Sequence, residues 1–321
     1  MRIPGLILIV AGTVAAQQGQ LSGPTSGLVF DWTRHTVRPI LGIPGASTIG
    51  APVSLGRDLE SAAVSPSLDS AIAGGADGSL HFYRMVTGSL SERALEGVSG
   101  KLQSVIFSPS GTAAVLSTAS GTYVITGLPD APRVAGSLNP DSTLRRVSSG
   151  VPGRPALRRE SMAVSDDGNY VLSNRSGSVR VLTIGGENRE LTATGANSVV
   201  AFAPGSTDAA VADEGAGVVL FRDVAGAAVS KVLAASIPSP SGLAFSVDGR
   251  HLYVANGKAR SVTVFDLESG VQDTLDCQCL PANLVRMGSL FRLNELNGAQ
   301  PLWLLDTNRD PRIVFVPAAV D

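Results

Sequence analysis

A turn of one chemistry recurs five times along this chain. It reads Val64-Ser65-Pro66-Ser67, Phe107-Ser108-Pro109-Ser110-Gly111, Val164-Ser165-Asp166-Asp167-Gly168, Phe202-Ala203-Pro204-Gly205 and Phe245-Ser246-Val247-Asp248-Gly249. From Ser65, the steps to Ser108, Ser165, Ala203 and Ser246 are 43, 57, 38 and 43 residues, a period near 43 with one insertion. Spacing on that scale confines the chain to a fold built from copies of one supersecondary unit.

Ser, Pro, Asp and Gly supply the backbone angles of tight turns. A β-prone segment follows each turn, such as Ala114-Val115-Leu116, Tyr170-Val171-Leu172 and Leu252-Tyr253-Val254. Next come a Gly-containing turn, as in Ala76-Asp77-Gly78-Ser79, and a third strand, as in Val262 to Phe265. A more polar fourth segment, such as Lys231-Val232-Leu233, suits an outer edge, where polarity discourages pairing between molecules. Four strands in about 43 residues predict a β-propeller blade. The expected fold is all-β: one closed ring of four-stranded antiparallel blades. The Ala-rich stretch Leu220 to Ile237 could be helical by composition, but its place in the repeat assigns strands with Gly226 at the turn.

Before the first full unit, Gly27 to Asp31 and Thr36 to Ile40 read as a third and a fourth strand alone. After the fifth, the segments from Asn283 to Val316 supply another unit. Dividing the chain by the period favours seven blades with an irregular first one, with six as the alternative. The N-terminal hairpin is expected beside the C-terminal blade, where it closes the ring.

The unit Phe245-Ser246-Val247-Asp248-Gly249-Arg250-His251-Leu252-Tyr253-Val254-Ala255-Asn256, with Ser261-Val262-Thr263-Val264-Phe265-Asp266, closely resembles the YVTN type of propeller repeat. The other units match it more loosely, over roughly residues 60 to 275. The His and Trp-Asp signature of WD40 repeats is absent, so the likeness to that group is one of scaffold only. Because propellers of similar repeat carry lactonase-type sites at the central channel, the resemblance also implies a hydrolase as an alternative activity. A scaffold by itself does not decide between them.

Met1-Arg2 is basic, Ile3 to Val14 is mostly apolar, and Val14-Ala15-Ala16 places small side chains before Gln17. Residues 1–16 thus read as a cleaved secretion signal, leaving a propeller domain over 17–321. The apolar run falls short of the roughly 20 residues a spanning helix needs, so no membrane insertion is expected after cleavage. Secretion or a periplasmic location follows. With 25 basic against 27 acidic side chains, the chain has no whole-surface attraction for nucleic acid. Aromatic residues make up only 5%, which argues against ring-lined sugar clefts and base-stacking platforms.

Cys277-Gln278-Cys279 holds both cysteines. In an oxidising compartment they are expected to pair, although a strand would hold their Cα atoms about 6.6 Å apart, near the upper limit for a disulfide. A bend is therefore required, and Pro281 is placed to help make one. As a metal or redox site, two thiols without a nearby His are too few. The insertion at about 141–159 carries Arg145, Arg146, Arg154, Arg158 and Arg159 among Ser, Gly and Pro. It reads either as a solvated loop or as a docking surface for an acidic protein or an anionic glycan.

His35, His81 and His251 show no metal-ligand spacing, and His251, just after a turn, is expected at the surface. Asp166-Asp167 and Asp208 to Glu214 read as turn-forming acids rather than a calcium site. No Gly-x-Ser-x-Gly elbow or phosphate-binding Gly-Lys loop occurs, and Trp32 and Trp303 are too few for quinoprotein docking repeats. No catalytic, cofactor or metal residue is assigned. The expected role is an exported, monomeric, non-catalytic propeller that binds or scaffolds a protein or glycan on one rim. A channel-based hydrolase and a surface-layer component are the alternatives.

Overall fold

The computed structural model describes residues 24–86, 89–138, 161–175, 177–186, 188–298 and 300–318. The secretion signal read at 1–16 and the basic insertion at 141–159 lie outside these residues.

The described residues form seven antiparallel sheets in which each strand pairs with its neighbours in sequence. Blade 1 has three strands: β1 (Thr25–Asp31), β2 (Thr36–Ile43) and β3 (Ala46–Ile49). Blade 2 has four: β4 (Leu59–Val64), β5 (Ser70–Gly75), β6 (Leu80–Val86) and β7 (Ser89–Ala94). Blade 3 contains β8 (Leu102–Phe107), β9 (Ala113–Thr118), β10 (Thr122–Thr126) and β11 (Arg133–Leu138). Blade 4 contains β12 (Met162–Val164), β13 (Tyr170–Arg175), β14 (Ser178–Thr183) and β15 (Asn188–Ala193). Blade 5 contains β16 (Val199–Phe202), β17 (Ala209–Asp213), β18 (Gly217–Arg222) and β19 (Val229–Ala234). Blade 6 contains β20 (Pro240–Phe245), β21 (His251–Asn256), β22 (Ser261–Asp266) and β23 (Gln272–Asp276). Blade 7 contains β24 (Val285–Met287), β25 (Leu290–Arg292), β26 (Leu302–Asp306) and β27 (Arg312–Val316). The fold is a seven-bladed β-propeller, as the repeat period favours. The ambiguous Ala-rich stretch is the hairpin β18–β19, and the Gly226 N–H closes its turn on the Asp223 carbonyl.

Burial explains why the strands read as short apolar runs. Every residue of β5, β9 and β17 is buried, because second strands are covered on both faces by neighbouring blades. The outer β15 and β19 are mostly exposed. Apolar clusters form between blades rather than within them. Phe202, Val200 and Leu172 join blades 4 and 5, while Tyr253, Phe291 and Leu305 join blades 6 and 7. Each fully buried side chain of this size contributes about 1.5–3 kcal/mol from transfer out of water.

Blade 1 departs from the sequence reading. Gly27, near the start of β1, sits against Met287 at the end of β24, and His35 Nδ1, just beyond its end, lies 3.1 Å from the Leu59 carbonyl at the start of β4. β1 therefore runs opposite to the innermost strands β4 and β24. Its direction is that of a second strand, so β1, β2 and β3 take second, third and fourth places, whereas the sequence suggested only a third and a fourth. The innermost place is left without a strand among the described residues. There the first turns of blades 7 and 2 meet directly, with the Gly288 N–H donating to the Pro66 carbonyl at 2.7 Å.

The ring closes where blade 1 meets blade 7, as expected, but without a shared sheet. Val29 and Ile40 pack on Leu290, Leu302 and Leu304. The Trp32 N–H donates to the Leu296 carbonyl at 3.2 Å, and its indole donates to Glu295 Oε2 at 3.1 Å. Arg292 Nη2 and Asn283 Nδ2 donate to Glu295 Oε1 at 3.0 and 2.9 Å. Glu295 thus anchors the two ends of the described chain to each other. Replacing Glu295 with Ala is expected to cost about 1–3 kcal/mol, because a half-buried guanidinium and an indole lose their acceptor. Replacing the exposed Glu268 should stay within about 0.5 kcal/mol. Urea midpoints of the two variants make the comparison.

Candidate functional site

Strand alternation sorts the loops into two rims. Turns from first to second strands and from third to fourth lie on one; turns from second to third strands and the connections between blades lie on the other.

On the first rim the repeated serine shapes the turn. The N–H groups of Ser65, Ser108, Ser165 and Ser246 donate to the carbonyls of Ser70, Ala113, Tyr170 and His251 at 2.8, 2.8, 3.0 and 2.9 Å. Their hydroxyl oxygens accept the N–H groups of those same four residues at 3.2, 3.1, 3.1 and 2.9 Å. Ala203 keeps only the backbone part, its N–H donating to Asp208. The Ser246 hydroxyl and the Arg250 N–H hold the Asp248 carboxyl below the usual carboxylate range. His251 is half-buried and stacks on Tyr253 with ring centroids 6.3 Å apart, so it is less exposed than the sequence suggested.

Asp166 accepts the Ser110 N–H at 2.7 Å through Oδ1 and the Gly205 N–H at 2.7 Å through Oδ2, stapling the turns of blades 3, 4 and 5. Arg286 donates to the Pro109 carbonyl at 2.6 Å, reaching from blade 7 to blade 3 at the channel mouth. Burial pushes its guanidinium pKa down, and the Asp166 charge opposes this. Below the mouth the innermost strands carry mainly small or apolar side chains, among them Ala62, Ala63, Ala163, Ala201 and Ala244. Among the described residues, no group of three or more His, Cys, Asp or Glu side chains is arranged to hold a metal ion.

The connection rim holds the remaining chemistry. Cys277 and Cys279 are disulfide-bonded between β23 and β24, with Cα atoms 5.0 Å apart. That is closer than an extended pair allows, so the connection bends there. The Cys277 N–H donates to the Arg260 carbonyl at 2.7 Å, and Arg260 Nε donates to the Cys279 carbonyl at 3.3 Å. Both sulfurs sit in the apolar cluster between blades 6 and 7, a structural setting. Arg145, Arg146, Arg154, Arg158 and Arg159 lie outside the described residues, but β11 ends and β12 begins at this same rim.

The sequence reading missed one cluster here. His81, 6% exposed, faces Ser79 through Nε2 and Glu92 Oε1 through Nδ1 at 2.7 Å. Arg57 donates to both Glu92 oxygens, at 3.1 and 3.4 Å. The Ser79 hydroxyl and N–H both reach Asp77 Oδ1, and these bonds hold the Asp77 carboxyl below its ordinary range. Tyr83, on the same face of β6, is fully buried with no partner for its hydroxyl. Burial foremost, then the Glu92 charge, pushes its phenol pKa up. The local spacing Ser79-Leu80-His81 carried a weak signal, but Glu92 becomes its partner only through β6–β7 pairing.

No protein-family model and no curated protein sequence matches this chain. Among solved structures it is similar to "a functionally unknown protein from Desulfotomaculum acetoxidans DSM 771", with a TM-score of 0.58 and 14% identity. The match covers 92% of this chain and all of that one. At that identity the likeness concerns the fold.

Two outcomes follow. Because the folded pKa of Asp248 is depressed, its stabilisation is full above the unfolded value of about 3.9 and is lost as pH falls through the lower folded value. Asp248→Asn should therefore be less stable than the native chain at pH 7, with the difference shrinking below about pH 4, as urea midpoints across pH will show. The disulfide closes a ring of only three residues, so replacing both cysteines with Ala should cost no more than about 2 kcal/mol and leave the circular dichroism spectrum intact.

Proposed function

We propose that this protein is an exported, monomeric propeller with YVTN-type repeats that binds or scaffolds a macromolecular partner on its connection rim. The observation that carries the reading is topological. In sequence the five-arginine insertion falls between β11, which ends at that rim, and β12, which begins there, and the connections between blades converge on the same side. The ring beneath is braced by turn staples and interblade packing, which favours presentation of loops from a fixed frame. The basic start, apolar run and small residues before Gln17 support export to the periplasm or medium.

A channel-centred hydrolase of lactonase type receives less support. Its chemistry needs several converging polar side chains or a metal, whereas the described innermost strands carry mostly apolar residues packed between blades, with Glu60, Gln103 and Arg286 as their long polar side chains. Five guanidinium groups on one loop match an acidic protein surface or an anionic glycan instead.

Immobilised heparin tests the loop directly. The full chain is expected to be retained at low salt and released as ionic strength rises, and a chain lacking residues 141–159 should pass through. Equal retention of both chains would remove the insertion from the binding reading.

A further inference from the structure

The hydroxyl at Ser79 belongs to the repeat, but its surroundings do not. By strand register, Ser178 and Ser261 occupy the corresponding place at the head of the third strand in blades 4 and 6, whereas blade 3 has Gly121 there. Two residues further on, blades 3, 4 and 6 have Tyr123, Arg180 and Thr263, whereas blade 2 has His81. Turn geometry therefore accounts for the serine without accounting for a buried imidazole, a carboxylate behind it and an arginine behind that. The order of groups is that of a nucleophile, a base and an orienting acid.

We propose that Ser79, His81 and Glu92 form an acyl-transfer triad on the connection rim that accepts activated esters. Ser79 Oγ lies 2.5 Å from His81 Nε2, and His81 Nδ1 lies 2.7 Å from Glu92 Oε1. With Nδ1–H donated to Glu92, the Nε2 lone pair faces the hydroxyl. As Ser79 Oγ bonds to the acyl carbon, its proton passes to Nε2, and Glu92 stabilises the imidazolium. The proton then goes to the leaving oxygen as the carbon–oxygen bond breaks. Water attacks the acyl-serine, gives a proton to Nε2 and releases the acid as that proton returns to Ser79.

Substrate class follows from what the site lacks. The Ser79 N–H is committed to Asp77 Oδ1 at 2.9 Å and cannot meet a developing oxyanion. Esters with good leaving groups depend least on that missing donor, and amides depend on it most. Asp77 also competes with His81 for the Ser79 proton, since its Oδ1 accepts the same hydroxyl. Asp77 is thus a positioning residue that restrains the nucleophile at rest.

A fluorophosphonate probe with peptide mass spectrometry tests this on the full chain, alongside p-nitrophenyl acetate hydrolysis. The adduct is expected on Ser79 and not on Ser178 or Ser261, which serve as internal controls. His81→Gln should slow labelling roughly 100-fold or more, and Asp77→Ala should label at least as fast as the native chain. Absence of a Ser79 adduct in both the native chain and a natively folded Asp77→Ala variant overturns the proposal. So does equal labelling of the control residues, which would mark the hydroxyl as an ordinary turn serine. Heparin retention of Ser79→Ala should match that of the native chain, so this site and the binding loop succeed or fail separately.

Discussion

Apolar contact between adjacent sheets holds this molecule together. No blade has a core of its own: Phe202 of blade 5 packs on Leu172 of blade 4, and Phe291 of blade 7 packs on Tyr253 of blade 6. A blade lifted from the ring would expose both faces of its second strand, and no single sheet could offset the conformational entropy of ordering it. Closure is consequently a condition of stability. It is also where the pattern is least regular, because blade 1 contributes no innermost strand among the described residues. Blade 7 and blade 2 meet across that place through Gly288 and Pro66, while Val29 and Ile40 fill the apolar space behind.

The same economy separates scaffold residues from others. Serines at the turns are scaffold: each hydroxyl accepts an N–H that would otherwise be left over where the chain reverses, and Ala203 shows that one turn forms without it. Asp166 and Arg286 extend the bracing between blades at the channel mouth. His81 and Glu92 do not fit that scheme. They have no counterpart at the matching places of blades 3, 4 and 6, so blade 2 differs from its copies in chemistry while sharing their backbone.

Much of the fold was legible before any coordinates, for a local reason. A turn needs particular backbone angles, those angles need Gly, Asp, Ser or Pro, and five such turns at near-equal spacing reveal the unit and its count. The strand places in blade 1 were not legible, because Gly27 to Ile40 looks the same whichever two strands of a blade it forms. Direction decides the matter, and direction is set by Met287 and Leu59, both distant in sequence. The candidate site was legible only in part. Ser79 and His81 stand two apart on one strand, while Glu92 joins them across a hairpin.

By itself the sequence determined the unit, its approximate number and the character of each strand, because turn chemistry and apolar runs act over a few residues. Tertiary structure alone decided how the ring closes, which side chains brace its mouth and which groups meet on its rims. Glu295 finds Trp32, Arg286 finds Pro109 and His81 finds Glu92 through geometry that spacing along the chain does not encode. The reason is physical: strand pairing and ring closure set distances between residues that lie from 11 to more than 250 positions apart.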